Sequence, residues 1–434
     1  MSTFDIITFG CKVNFAESSD ISNKLLSQGF EKINISKNPE FVIINSCSVT
    51  NNADLECLKT IRNLIKKNNE VKIIITGCLA KFDNPLFDKK NIIGVFDNNK
   101  KNKIVDFLVN FSNKEILNSC PCSQEIDKFN FQHAYSLNDR TRSFLKIQDG
   151  CNYWCSYCII PQCRGCSRSD SIDSIISDAI KIRDSGVKEI VLTGINVGDC
   201  GLINNKREYT FYDLLCELDK ITNIPRIRIS SIEPNLLTEE IIELVKISNN
   251  FVEHFHIPLQ SGDDEILKIM RRRYNTTFYK NKILQIKSLM PYACIGIDVI
   301  VGFPGETEEK FMNTYTFLND LPFSYLHVFP FSERNNTLAV ELKNKIPQKE
   351  KNRRVQILRE LSNKKKQEFY KANVGRIVEV LFEGNEKKGK MYGYSDNYLR
   401  ISATYNEKLI NKIIKVKVKE ITNNYCTIIK NQDF

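Results

Sequence analysis

Three cysteines stand at C-x3-C-x2-C spacing in Asp149-Gly150-Cys151-Asn152-Tyr153-Trp154-Cys155-Ser156-Tyr157-Cys158. A loop this short can wrap three thiolates round one corner of an iron–sulfur cube. Three Cys ligands on a [4Fe–4S] cluster leave one iron without a protein ligand, so a small molecule can chelate it. Zinc fits poorly, because the loop has no His or fourth Cys at zinc spacing.

A second trio is dispersed. Gly10-Cys11, Ser46-Cys47 and Gly77-Cys78 each follow an apolar, β-branched run: Phe4 to Phe9, Phe41 to Ile44 and Val71 to Ile75. Helical stretches, Glu17 to Gln28 and Asp54 to Lys67, separate these runs, and the alternation predicts a parallel α/β sheet. In such a sheet the strand C-termini share one edge, where these folds place their sites. Three distant thiols thereby converge, again without an obvious fourth, which suggests a second three-Cys cluster; the plainer reading is three small residues buried at strand ends. Cys57 falls on a helix and is given no role. Cys120-Pro121-Cys122 lies in a polar linker. Cys163 and Cys166 form a C-x2-C pair that could join a second metal site, with no further ligands in view.

Six strand–helix units between Asn138 and Phe331 predict an open, partial (β/α)6 barrel, whose site would lie at the strand C-termini. Those ends are polar and glycine-rich: Gly194 and Asn196, Ser231 and Glu233, Gln260, then Gly302 to Thr307. Together they offer close backbone approach and hydrogen bonds to a ribose or an amino acid. His254 and His256 read as wall or core residues. Arg271-Arg272-Arg273-Tyr274 suits a phosphate or a stacked base, or else a solvated helix end.

The chain of 434 residues is 42% hydrophobic, enough for two or three domains and a full-sized core. It has no secretory signal pattern and no run of about 18 apolar residues, so no membrane partner and a cytoplasmic location are expected. Its 15 cysteines favour metal or redox chemistry over disulfides. The net charge of +10 is uneven: Lys343 to Lys371 carries 11 Lys/Arg against 3 Glu, Ala372 to Phe434 carries 11 against 7, and the remainder sums to −2. A basic amphipathic helix from Pro347 to about Tyr370, then short strands with Lys, Tyr and Gly, suggest a small RNA-binding β-barrel and a polyanion partner.

The cysteine loop resembles the signature of the radical S-adenosylmethionine (SAM) enzymes, and the order of segments resembles the methylthiotransferases of that superfamily over nearly the full length. Thr8-Phe9-Gly10-Cys11-Lys12-Val13-Asn14 and Asn45-Ser46-Cys47-Ser48-Val49-Thr50-Asn51-Asn52-Ala53-Asp54 look most like the branch acting on N6-threonylcarbamoyladenosine in tRNA. The resemblance implies an α/β fold in parts: an N-terminal methylthiotransferase domain (1–111), a radical-SAM core (138–346), a basic linker helix (347–371) and a C-terminal all-β TRAM-like domain (372–434). It implies that Cys151, Cys155 and Cys158 hold the [4Fe–4S] cluster that binds SAM, with Tyr157, Gly194, Asn196, Ser231, Glu233 and Gln260 around the SAM. It implies that Cys11, Cys47 and Cys78 hold an auxiliary [4Fe–4S] cluster that supplies sulfur. SAM would serve as radical source and methyl donor, an electron donor such as flavodoxin or ferredoxin would be needed, and C2 of the modified adenosine at position 37, in the anticodon stem-loop, would be methylthiolated. The chain departs from the family after Pro161, where Gln162-Cys163-Arg164-Gly165-Cys166-Ser167-Arg168-Ser169 stands for the usual Tyr-Ala-Arg-Gly-Arg/Lys-Ser-Arg-Ser. The alternatives are methylthiolation of N6-isopentenyladenosine or of a ribosomal-protein Asp and, from another class, a non-catalytic iron–sulfur RNA-binding protein.

Overall fold

The computed structural model describes residues 1–112, 131–137, 141–422 and 425–428; Cys120 and Cys122 lie outside them. The N-terminal part is a parallel sheet of β1 (Thr3–Thr8), β2 (Glu31–Lys32), β3 (Phe41–Ser46), β4 (Lys72–Gly77) and β5 (Ile92–Phe96), in the order β2-β1-β3-β4-β5. Alternate side chains serve opposite faces. Ile43 and Ile74 pack with α1 (Lys12–Ser27) and α3 (Lys103–Ser112), whereas Val42, Ile44, Ile73 and Ile75 pack against α2 (Asn51–Lys67). The order of strands reverses between β1 and β3. That switch point is where open α/β sheets bind ligands.

The first helix begins five residues before its predicted start, at Lys12 rather than Glu17. Its first turns bury Asn14, Glu17, Ser18 and Ser19 beside only Val13 and Ala16, so hydrophobic periodicity gives little sign of them. The short strands β2 and β5 were likewise not expected.

The middle part runs β6 (Ser143–Lys146), α4 (Ile160–Arg164), α5 (Ile172–Asp184), β7 (Ile190–Thr193), a small hairpin of β8 (Leu202–Ile203) and β9 (Lys206–Arg207), α6 (Phe211–Asp219), β10 (Ile227–Ile229), α7 (Glu239–Ile247), β11 (His254–His256), α8 (Asp264–Ile269), α9 (Thr276–Leu289), β12 (Cys294–Val301), α10 (Glu308–Asp320) and β13 (Tyr325–Pro330). Two parallel sheets, β6-β7-β10 and β11-β12-β13, are joined by the bridges Ile227–Phe251 and Ser231–His256. The six strands therefore follow one another in chain order round an open (β/α)6 barrel, as expected. Its apolar core includes Leu192, Ile229, Ile257 and Ile297.

Helix α11 (Gln348–Ala372) buries Val355, Leu358 and Leu361 against that core. Much of its positive charge is used inside the fold. Arg354 pairs with Glu306 at 2.8 Å, Lys351 donates to the Phe331 carbonyl, and Arg353 pairs with Glu308 and Glu350. The chain ends in a closed barrel of β14 (Ile377–Phe382), β15 (Lys390–Ser395), β16 (Arg400–Thr404), β17 (Ile413–Ile421) and β18 (Cys426–Ile428). Among the described residues no helix is long and apolar enough to cross a membrane.

Candidate active site

The loop after β6 carries Cys151, Cys155 and Cys158, all free thiols. The Cys151 and Cys158 thiols are pushed up to about 12, chiefly by burial, with nearby Cys155 contributing to both. Such thiols are poor nucleophiles when protonated; a bound metal would ionise them. Arg272 donates to the Cys155 Sγ at 3.1 Å and to the Tyr157 hydroxyl at 3.5 Å, and it also pairs with Glu233. The arginine run is thus a brace for this loop: Arg272 is buried, and Arg273 stacks 3.7 Å from the Tyr153 ring centroid.

Of the expected pocket residues, Tyr157, Glu233 and Gln260 stand at this loop, whereas Gly194 and Ser231 line a second cavity on the inner face of the barrel. Tyr157 meets Phe303 edge-on. Gly194 lies against Gln148, which accepts from the backbone N–H groups of Ile195 and Asn196 and so ties the ends of β6 and β7 together. Asn196 is buried, and neither side-chain polar atom has a partner. An orphaned buried amide is costly unless a ligand satisfies it. Gln260 holds a left-handed φ of 71°, and Ser231 bridges to His256. The donor set and the orphaned amide fit a cluster with a polar ligand beside it.

The second trio sits where β1, β3 and β4 end. Gly10 and Gly77 have φ of +93° and +94°; a Cβ on Gly10 would stand 2.7 Å from the Cys47 Sγ, and one on Gly77 would stand 2.2 Å from the Ser46 carbonyl. Only glycine permits that approach. Asn14 donates to the carbonyls of Phe9 and Ser46, stitching the first two cysteine loops together. Ser46 Oγ accepts from Leu79 N–H, which ties in the third. Burial raises the Cys11 and Cys47 thiols, the latter to about 12, and Cys78 raises both. The three are close neighbours and fit a second three-thiolate cluster.

The two trios face one space. A cavity of about 490 Å³ is lined at once by Cys11 and Cys47, by Tyr157 and Cys158, and by Gln260. A neighbouring cavity of about 580 Å³ shares Gly10, Cys11, Asp298 and Phe329, fills the inner face of the barrel and reaches Tyr398 of the C-terminal domain.

Profiles of known families match three parts of the chain: the Radical SAM superfamily over residues 145–318, an uncharacterized protein family (UPF0004) over 3–96, and the TRAM domain over 371–427. The threonylcarbamoyladenosine tRNA methylthiotransferase of Bacillus subtilis is 36% identical over 96% of this chain and 94% of its own length. The belongings of the chain follow from that extent. It belongs to the methylthiotransferase family. The enzyme of the same name from Aquifex aeolicus is 33% identical over 95% of the chain and 98% of its own length. The tRNA-2-methylthio-N(6)-dimethylallyladenosine synthase of B. subtilis is 30% identical over 96% of the chain and 83% of its own length. In fold, the chain is similar to the radical SAM methyltransferase TsrM from Kitasatospora setae, with a TM-score of 0.57 at 12% identity, over 78% of this chain and 77% of that one.

Besides the role of Arg272, three features of this methylthiotransferase escaped the sequence. Arg164 is fully buried between the two cysteine sites. It donates to Glu17 (3.0 Å), Asp149 (2.8 Å) and Asn14 (2.6 Å), while Lys146 reaches Glu17 (2.8 Å) and Asp149 (2.9 Å), and Lys101 also pairs with Glu17. Burial opposes ionisation of Glu17 and Asp149, but these cations hold both carboxyls well below the usual range. This network clamps the N-terminal domain to the core.

The second is Cys163. It is buried against Cys78 and Ile159, close enough for the two thiols to act on each other. That closeness is the chief reason the Cys78 thiol falls to about 6, and Cys163 is raised in turn. Asn98 donates to the same sulfur at 3.7 Å. Cys166 is exposed. The third is the set of basic side chains round the larger cavity, Lys12, Arg142 and Arg228.

Proposed function

We propose that this methylthiotransferase modifies C2 of N6-threonylcarbamoyladenosine next to the anticodon of tRNA, yielding the 2-methylthio nucleoside. The observation that carries the reading is the single cavity bordered by Cys11, Cys47 and Cys158, since sulfur insertion needs a sulfur-bearing site and a hydrogen-abstracting site within reach of one carbon. Full-length similarity to threonylcarbamoyladenosine enzymes supports the choice of nucleoside. In this reading 1–111 carries the auxiliary site, 138–346 the radical-SAM core, 347–371 the linking helix and 372–434 the TRAM-like domain.

Cys151, Cys155 and Cys158 would hold one [4Fe–4S] cluster and Cys11, Cys47 and Cys78 the other; when bound, they and SAM supply reductive generation of a carbon radical, sulfur and a methyl group. The chain's own work is placement. Arg272 steadies the Cys155 sulfur and, through Glu233, the end of β10. Tyr157, Gly194, Asn196, Ser231 and Gln260 would surround SAM. On β17 the exposed Lys415, Lys417 and Lys419 alternate outward and would meet tRNA phosphates, with salt-sensitive affinity. A small flavin or iron–sulfur protein, flavodoxin or ferredoxin, would supply electrons, and the cytoplasm is the fitting compartment.

Nucleoside mass spectrometry of tRNA from a deletion strain tests the reading. Loss of the 2-methylthio group from threonylcarbamoyladenosine alone supports it. Loss from the dimethylallyl nucleoside instead would support the second reading, to which the 30% identity with the B. subtilis synthase lends weight. Reduced, reconstituted protein that released no 5′-deoxyadenosine from SAM would leave only a binding role.

A further inference from the structure

Around the larger cavity, on the inner face of the barrel, stand Lys12, Arg142 and Arg228, with the imidazoles of His254, His256 and His327, against one lining carboxylate, Asp298. Both arginines and Asp298 are already engaged. Arg228 is held by Glu189 at 2.8 and 3.1 Å. Arg142 pairs with Glu383 at 3.1 Å. Asp298 accepts from His256 at 2.9 Å and His327 at 3.1 Å. Lys12 differs: its ammonium has no hydrogen bond or ion pair among the described residues, though Arg142 and Arg228 are close enough to repel it. It stands in the first turn of α1, whose N-terminal end carries no acidic residue, so the helix dipole adds to the positive field. A lysine exposed on a cavity wall beside two arginines, with no ion pair of its own among the described residues, favours an anionic ligand group.

We propose that Lys12 receives the carboxylate of the substrate's threonylcarbamoyl arm and is the residue that selects this arm over an uncharged one. The inference rests on the substrate reading above. The geometry suits it: Lys12 adjoins Cys11, so a group held there leaves the attached adenine beside the auxiliary cysteines and over the cavity shared with Cys158. The apolar walls nearby, Val13, Val191 and Phe329, suit the methyl group of the arm.

The test uses the reconstituted full-length enzyme and three anticodon stem-loop RNAs. One carries threonylcarbamoyladenosine, one its carboxamide analogue and one plain adenosine. The wild type is expected to bind the carboxylate form about tenfold to hundredfold more tightly than the carboxamide. Lys12→Gln should bring the two within about threefold, and Lys12→Arg should restore most of the preference. Iron content measured alongside confirms that Cys11 is undisturbed. If Lys12→Gln still discriminates, or weakens all three RNAs equally as loss of a phosphate contact would, the inference is overturned. If the wild type does not prefer threonylcarbamoyladenosine over plain adenosine, the substrate reading fails first and takes the inference with it.

Discussion

The two cysteine sites solve one problem by opposite routes. Cys151, Cys155 and Cys158 come from a single loop, held by one neighbouring arginine. Cys11, Cys47 and Cys78 come from three strand ends and converge only if the sheet forms, the glycines turn and Asn14 and Ser46 stitch the loops together. The loop site is thus local and robust. The assembled site is a reporter of the tertiary structure around it. Its exposure to mutation is correspondingly wider, because residues far from any cysteine hold it in shape.

The largest effects should separate the two chemically. Cys155→Ala is expected to abolish 5′-deoxyadenosine release from SAM. Cys47→Ala should leave that release in place and stop methylthiolation. In each case iron should fall from about eight to about four atoms per chain. Product formation by the Cys47→Ala enzyme would remove the assembled site from the reaction.

A second test reaches the assembled site from outside it. Glu17 accepts from Arg164, Lys146 and Lys101 in a buried network. Removing one partner of such a group strands its charges, at a cost of about 3–5 kcal/mol. Glu17→Ala should lower stability by that order in denaturant titrations and deplete iron from the auxiliary site first. Equal loss at both sites would mean that the clamp serves the whole molecule rather than this junction.

This comparison also explains what could be read from the sequence. The loop trio was legible because its ligands are neighbours in sequence. The strand-end trio was legible because β3 and β4 are unbroken β-branched runs with cysteines at their ends. The start of α1 was not, since Asn14, Glu17 and Ser18 are buried polar residues and carry no apolar period. The role of Arg272 was missed for a related reason: a three-Arg run looks like a solvated surface, and only the fold turns its middle member inward. Cys163 could not be joined to Cys78 from sequence at all, because the contact spans two domains.

Acid should strain the same junction. The carboxyls of Glu17 and Asp149 are depressed in the folded state, so the stability they contribute is complete above the unfolded carboxylate value, about 4, and is lost as pH falls below it toward the folded values. Melting of the cluster-free chain should hardly change between about pH 7 and pH 5 through these groups, then drop steeply below about pH 4. Glu17→Gln should show a shallower drop than the wild type. An equally steep one would assign the acid sensitivity to other carboxyls.

The smallest expected effect bears on the electronic difference between the sites. The loop site has a charged donor on one sulfur, Arg272 on Cys155. The assembled site has neutral groups at Cys78: the Asn98 amide donates to its sulfur, and the Cys163 thiol packs against it as a candidate donor. Hydrogen bonds to cluster sulfurs help set reduction potential, and they stabilise the more negative, reduced state. A neutral donor does so more weakly than a charged one. Cys163→Ala should therefore keep about eight irons per chain and shift only the auxiliary potential, by a small step toward more negative values in a spectroscopic redox titration. Cys166→Ala, at an exposed thiol, should shift neither. A loss of auxiliary iron in Cys163→Ala would instead make Cys163 a ligand or a structural support, and a positive shift would remove it as a donor. The first result would mean that the assembled site depends on four sulfurs where the loop site depends on three.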